Sequence, residues 1–154
     1  MNRLLSFRPA ALAVAALTVL GLALSASADP SVPFGGQANV VITDVQPVSL
    51  GRLRLTASAT GQATHLGRFT RTETVVLNLA NGTFAGTLVF TAANGDQLYA
   101  DVAGGFTSPT TAVGTYTFTG GTGRFQNASG GAAFAAVTAD GIHFAITFEG
   151  AISF

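Results

Sequence analysis

The chain has no cysteine, no tryptophan and no lysine, holds two histidines, and is only 9% charged over its 154 residues. Each shortage closes off a class of chemistry. Without cysteine there is no disulfide, no thiolate metal site and no thiol nucleophile, so stability must come from packing and sheet closure even in an oxidising compartment. His65 and His143 have no third ligand at metal spacing, so neither a metal nor another cofactor is expected. No basic stripe exists to displace phosphate counterions, which argues against a nucleic-acid partner. Serine and threonine are plentiful, but no Gly-x-Ser-x-Gly turn occurs, so a serine hydrolase finds no support. Scarce acid–base groups suit a container better than a hydrolase.

What is present falls into a leader and a domain. Arg3 and Arg8 precede an apolar run from Pro9 to Leu24, and Ala26-Ser27-Ala28 supplies a small-x-small cleavage pattern, so residues 1–28 read as a secretory signal peptide. The run is short and alanine-rich beside the ~20 strongly apolar residues of a spanning helix, so no membrane span is expected once the signal is removed. The expected location is secreted or periplasmic. The remainder, 154 − 28 = 126 residues, suits one domain with a modest core. It carries Arg52, Arg54, Arg68, Arg71 and Arg124 against seven acids, a formal charge of 5 − 7 = −2. Abundant alanine and glycine without lysine associate with a GC-rich bacterial genome.

Residues 29–37, with Pro30, Pro33 and two glycines, read as an extended lead-in, and 38–154 as the domain proper. In the domain the hydrophobic period is two. Val40 to Val45 forms a first strand ended by Pro47, and Leu53, Leu55, Ala57 and Ala59 then face away from Arg52, Arg54, Thr56 and Ser58. Asn81-Gly82 matches a type I′ hairpin turn, and Asn94-Gly95 and Asp140-Gly141 are further turn signals. Inward positions of later strands are Phe84, Leu88 and Phe90, then Leu98, Ala100 and Val102, then Phe134, and finally Ile142, Phe144, Ile146 and Phe148. About eight strands and no amphipathic helix give an all-β chain: a single antiparallel eight-stranded barrel of the up-and-down type, whose closure removes exposed edges.

The third strand, from His65 to about Leu79, breaks the usual division of faces. Phe69, Arg71, Glu73 and Val75 share one face, and Thr70, Thr72 and Thr74 share the other. If threonine marks the outside, Arg71 and Glu73 point into the barrel, where a charge needs a partner, water or a ligand. A bulge near Gly67 would turn both to solvent instead. The sequence leaves both arrangements open.

A glycine-dense stretch follows the sixth strand. Tyr116 and Phe118 alternate with Thr115, Thr117 and Thr119, and then Gly120, Gly121 and Gly123 allow a tight reversal. Phe125 is placed to plug one end of the core, with Arg124 capping carbonyls or pairing with a carboxylate. A phosphate loop would need a lysine and a following helix. The run Gly-Gly-Thr-Gly-Arg-Phe, followed by Asn127-Ala128-Ser129-Gly130, resembles the glycine turn shared by plant dirigent proteins and allene oxide cyclases. With Ala93-Asn94-Gly95-Asp96 and Gly114 to Thr119, the resemblance runs over residues 53–154. It implies an eight-stranded barrel, a bacterial secreted member of that superfamily, and a homotrimer. No catalytic set comes with it, because neither plant family's catalytic residues have a close match and the cysteine associated with the cyclases has no counterpart.

An eight-stranded barrel is either nearly filled by side chains or holds one small ligand. Here Ala57, Ala59, Gly86, Ala100, Gly114 and Ala132 are under-sized for filling. The leading expectation is a small, largely apolar ligand walled by Phe69, Phe90, Tyr116 and Phe118, with Arg71 and Glu73 orienting a polar group. One alternative is a cyclase or dirigent-like stereocontrol enzyme in which the same Arg71 and Glu73 steer charge or protons. A second is a non-catalytic structural extracellular protein whose barrel is simply full.

Overall fold

The structure is a computed structural model and describes residues 30–154; the stretch read as a signal peptide lies outside the described residues. Eight strands follow in order: β1 (Val32–Ser49), β2 (Arg52–Ala63), β3 (Gly67–Asn78), β4 (Thr83–Ala92), β5 (Gln97–Ser108), β6 (Thr111–Gly121), β7 (Ser129–Thr138) and β8 (His143–Ser153). Each pairs antiparallel with the next, and β8 returns to β1, so the sheet is a closed barrel with no helix beyond one 3₁₀ turn among the described residues. The alternation in the sequence drives this. Leu88, Phe90, Leu98, Ala100, Val102, Tyr116, Phe118, Ile146 and Phe148 are buried, and the intervening threonines of β3 and β6 are exposed.

Because the strands alternate in direction, the β1–β2, β3–β4, β5–β6 and β7–β8 turns gather at one end. The opposite end is closed by the glycine stretch. Phe125 and Leu66 are buried there, Arg124 Nη2 donates to the His65 carbonyl, and the Thr122 hydroxyl accepts from the Gln97 N–H at 2.9 Å. The Asp96 carboxylate accepts from Asn94 Nδ2 at 3.0 Å and lies 3.4 Å from the Arg124 N–H. Gly123 has φ +56°, and a Cβ there would collide with that carboxylate, so both conformation and space require glycine. The plug and carbonyl cap expected of Phe125 and Arg124 describe this end.

Four details differ from the sequence reading. The lead-in is sheet from Val32 onward, because Val32 to Val41 pair with β8. β1 also continues through Pro47 to Ser49. Beyond Val41 its ladder partner is β2 alone, with irregularities at Ile42/Asp44 and Pro47/Ser49, and an edge of this kind tolerates proline. The Asn81-Gly82 turn is not type I′. Only Gly82 has positive φ, and the loop spans residues 79–82, closed by the Gly82 N–H on the Asn78 carbonyl at 2.8 Å. Ile142 is 49% exposed within the last turn, where the Asp140 carboxylate accepts the N–H groups of Ile142 and His143, both at 2.8 Å. Those bonds and the His143 ring hold the Asp140 carboxyl well below the usual carboxylate range.

Three inward glycines are covered by aromatic cross-strand partners, whereas Gly86 has the Thr74–Val75 backbone close against it. Gly61 pairs with Phe69, Gly104 with Phe84 and Gly114 with Phe134. In each pair the phenylalanine ring leans over the glycine, leaving 2.6 to 2.9 Å between the ring and the position a Cβ would take. Gly114→Ala should therefore lose about 1–3 kcal/mol through overpacking, read from the urea-unfolding midpoint. An unchanged midpoint would show that the Phe134 ring and the Ala103 carbonyl, which lies closer still to the same position, can both move aside freely.

Candidate functional site

Pairing between β2 and β3 runs without a shift from Arg52↔Asn78 to Ala63↔Gly67. No bulge intervenes near Gly67, so the parity that buries Phe69 also turns Arg71 and Glu73 inward. Arg71 sits mid-strand between Ala59 of β2 and Phe90 of β4 and is 2% exposed. Its Nη2 lies 2.8 Å from Glu73 Oε2, and its Nη1 donates to the Tyr116 hydroxyl at 2.8 Å. The guanidinium carbon stands 5.7 Å from the Phe90 ring centre and 5.6 Å from that of Tyr116, within cation–π range. Arg71 Nε is buried without a hydrogen-bond partner. Such a donor is costly in an apolar interior.

Tyr116 comes from β6, and its ring stacks on Phe134 with centroids 4.7 Å apart. Burial raises its phenol pKa above the ordinary value near 10, outweighing Arg71, which pulls it down, while Glu73 adds to the rise. At neutral pH the phenol keeps its proton. Its oxygen accepts from Arg71.

This trio divides the interior. On the closed-end side Phe34, Phe69, Phe90, Phe118 and Phe148 form a packed cluster; Phe34 and Phe118 have centroids 4.9 Å apart and Phe69 and Phe90 5.1 Å apart. On the other side lies a cavity of ≈ 70 Å³. Arg71, Glu73 and Tyr116 line it together with Leu55, Val75 and Phe134, and the half-buried Phe84, Phe106 and Phe144 stand toward the turn-bearing end. Of the six residues named from sequence, Arg71, Glu73 and Tyr116 therefore meet at the cavity. Phe69, Phe90 and Phe118 do not line it, because their rings fill the closed half against one another. Phe106 was missed in the sequence, although it continues the inward parity of Leu98, Ala100 and Val102 past the small Gly104.

Other features offer less chemistry. A larger concavity, ≈ 790 Å³, lies across the outer face of β8, β1, β2, β3 and β4, where Gln37, Asn39, Thr60, Gln62, Arg68 and Thr70 line it. It is open surface without a buried polar group or a charge pair. His143 Nδ1 lies 2.7 Å from Asp140 Oδ2, exposed on the outside. Among the described residues no group of three or more histidine, aspartate or glutamate side chains could hold a metal ion, and no helix is long and apolar enough to cross a membrane.

No protein-family model matches the chain, and no curated protein matches it. Among solved structures, a pterocarpan synthase dirigent protein superposes with a TM-score of 0.60, covering 92% of this chain and 96% of that one, at 14% identity. At that identity the likeness is one of fold. The chain has a dirigent-like eight-stranded barrel.

Two predictions concern the trio. Glu73→Ala strands a buried guanidinium and should cost about 3–5 kcal/mol, whereas the double variant Arg71→Met, Glu73→Leu should recover most of that loss or exceed the parent. Chemical denaturation distinguishes them, and equal losses in both variants would contradict the electrostatic account. The second prediction is a pH dependence. An unfolded chain releases its tyrosine protons near pH ~10, while folded Tyr116 holds its proton to higher pH. Above pH ~10 the unfolded state thus binds fewer protons, so stability falls with rising pH until the folded group also ionises. Tyr116→Phe should flatten that slope in unfolding curves taken from pH ~9 to ~11.

Proposed function

We propose that the protein binds one small, uncharged, largely apolar molecule in the turn-bearing half of the barrel, with a single polar atom held by Arg71, Glu73 and Tyr116. The observation that carries this reading is the ion pair at the cavity floor. Arg71 is already neutralised by Glu73 at 2.8 Å, so the floor is polar without net charge. A ligand carboxylate would meet the Glu73 carboxylate. A hydroxyl could instead donate to Glu73, and a hydroxyl or carbonyl oxygen could accept from the Tyr116 phenol or the unpartnered Arg71 Nε.

Size sets a second condition. The ≈ 70 Å³ cavity corresponds to about two waters, well below the ~300–1,000 Å³ of typical small-molecule pockets. Occupancy by anything with a ring requires Phe84, Phe106 or Phe144 to swing aside. All three are half-buried at the mouth and free of polar attachments that would resist rotation.

The second reading, a cyclase or stereocontrol enzyme, uses the same cavity. Its support is the solved neighbour named a pterocarpan synthase dirigent protein, and the presence of a protonated phenol and a carboxylate together at the cavity floor. In that reading Tyr116 and Glu73 exchange protons with the substrate while the walls fix its geometry.

Titration with benzyl alcohol and with benzoate at pH ~7, followed by NMR shifts of the cavity-lining Tyr116 and Phe134 rings, tests the binding reading. Benzyl alcohol should bind at least roughly tenfold more tightly, a difference of about 1.4 kcal/mol, and Arg71→Met with Glu73→Leu should erase the preference. Binding of neither probe, or equal binding of both, would remove the proposed polar anchor. Mass spectrometry of the natively purified protein would identify a resident molecule.

A further inference from the structure

Nine large apolar side chains are exposed among the described residues, and only Phe154 belongs to the closed end. The others lie in the half that carries the cavity mouth. Leu50 is wholly exposed on the β1–β2 turn, Leu79 is 57% exposed on the β3–β4 turn, and Ile142 is 49% exposed on the β7–β8 turn. Val45 and Val48 extend the apolar surface along the part of β1 that runs beyond β8. Two exposed arginines, Arg52 and Arg54, follow Leu50 on β2 and form no ion pair among the described residues. The acids at this end are the exposed Asp44, Asp140, whose carboxylate is held by its own turn and His143, and the inward Glu73, with the exposed Asp101 at the height of Glu73 on the outer face of β5.

We infer that this end docks on an anionic lipid surface, with the turn tips inserted and the cavity mouth facing the apolar phase. Three points favour lipid over a second copy of the chain or another rigid partner. The tips stand on three separate turns around an opening, so they form a ring of independent anchors instead of one contiguous face. A fluid interface accepts such anchors singly, whereas a rigid partner must match all of them and still leaves the mouth as a void. The free arginine pair beside the most prominent tip complements anionic headgroups. Insertion stops at the tips, because the outward strand positions are mostly threonine, serine and alanine, interrupted by charges and holding only scattered valines such as Val41, Val113 and Val137, in place of the continuous apolar band that a spanning barrel turns to lipid. The inference stands whether or not the cavity holds a ligand.

The absence of tryptophan makes the test direct, since Leu50→Trp gives a single emitter on the tip itself. With vesicles of phosphatidylcholine and phosphatidylglycerol containing brominated lipid, Leu50→Trp emission should shift to the blue and be quenched. A Phe154→Trp variant at the closed end should show neither change. Adsorption through any other part of the chain leaves the Leu50→Trp indole in water, so the probe reads this end alone. Adding Leu79→Glu and Ile142→Glu, both on exposed turns, should weaken vesicle binding roughly tenfold or more. Vesicles without phosphatidylglycerol should bind at least roughly tenfold more weakly. The inference is overturned if Leu50→Trp is unquenched at saturating vesicles, or if both tryptophan variants respond alike. A blue shift that tracks protein concentration without vesicles would assign the surface to contact between copies. Equal binding to vesicles lacking phosphatidylglycerol would overturn the anionic requirement.

Discussion

A guanidinium cannot sit among phenylalanine rings without an anion beside it, and in this barrel that anion comes from the same strand. Arg71 and Glu73 are two residues apart on β3 and project to the same side, so the strand turns both inward or neither. Slipping β3 by one residue would expose the pair, but it would also expose Phe69 and Val75 and bury the threonines between them. The register of the sheet and the burial of the charge are thus one decision. Tyr116 completes it from the far wall, since β6 lies across the barrel from β3 in the strand order.

The same trio marks where filling stops. Below it, five phenylalanines and the Phe125 plug occupy the closed half. Above it, aromatic rings are spent on covering glycines, as when Phe84 lies over Gly104 and Phe134 over Gly114, and the axis is left partly empty. At about 24 cal/mol per Å³, a void of ≈ 70 Å³ forgoes about 2 kcal/mol of packing, which a domain of this size can sustain.

Most of this was legible in the sequence because a two-residue period is hard to counterfeit. Threonines 70, 72 and 74 marked the outer face of β3, but only the unshifted β2–β3 ladder excludes the bulge near Gly67 that would have turned Arg71 and Glu73 outward. The strand count, the closure and the glycine turn with its Phe125 plug were readable for the same reason. Two kinds of feature were not. β1 beyond Val41 depends on how far its neighbours extend, so its edge character and its tolerance of Pro47 appear only when β8 is seen to stop. The sharing of rings between core and cavity depends on height along the barrel axis. Phe69 and Tyr116 share the inward parity, yet one is packed below the trio and the other lines the space above it.

Stability alone does not account for the ion pair. An apolar pair of similar volume in place of Arg71 and Glu73 would be as stable or more so, because it escapes the desolvation that the 2.8 Å contact must offset. What leucine or methionine could not provide is polarity at the floor of an otherwise apolar space. Glu73 keeps a 13% exposed side chain on the cavity side of a nearly sealed arginine, so the pair turns its acceptor to the cavity and keeps its cation in the core. A purely structural pair would gain by closing that exposure, and Phe84, Phe106 and Phe144 are near enough to the mouth to have closed it had they been packed across the axis. They stand instead around an opening that faces the same end as Leu50, Leu79 and Ile142, so the polar floor, the hollow above it and the apolar rim lie along one path into the barrel.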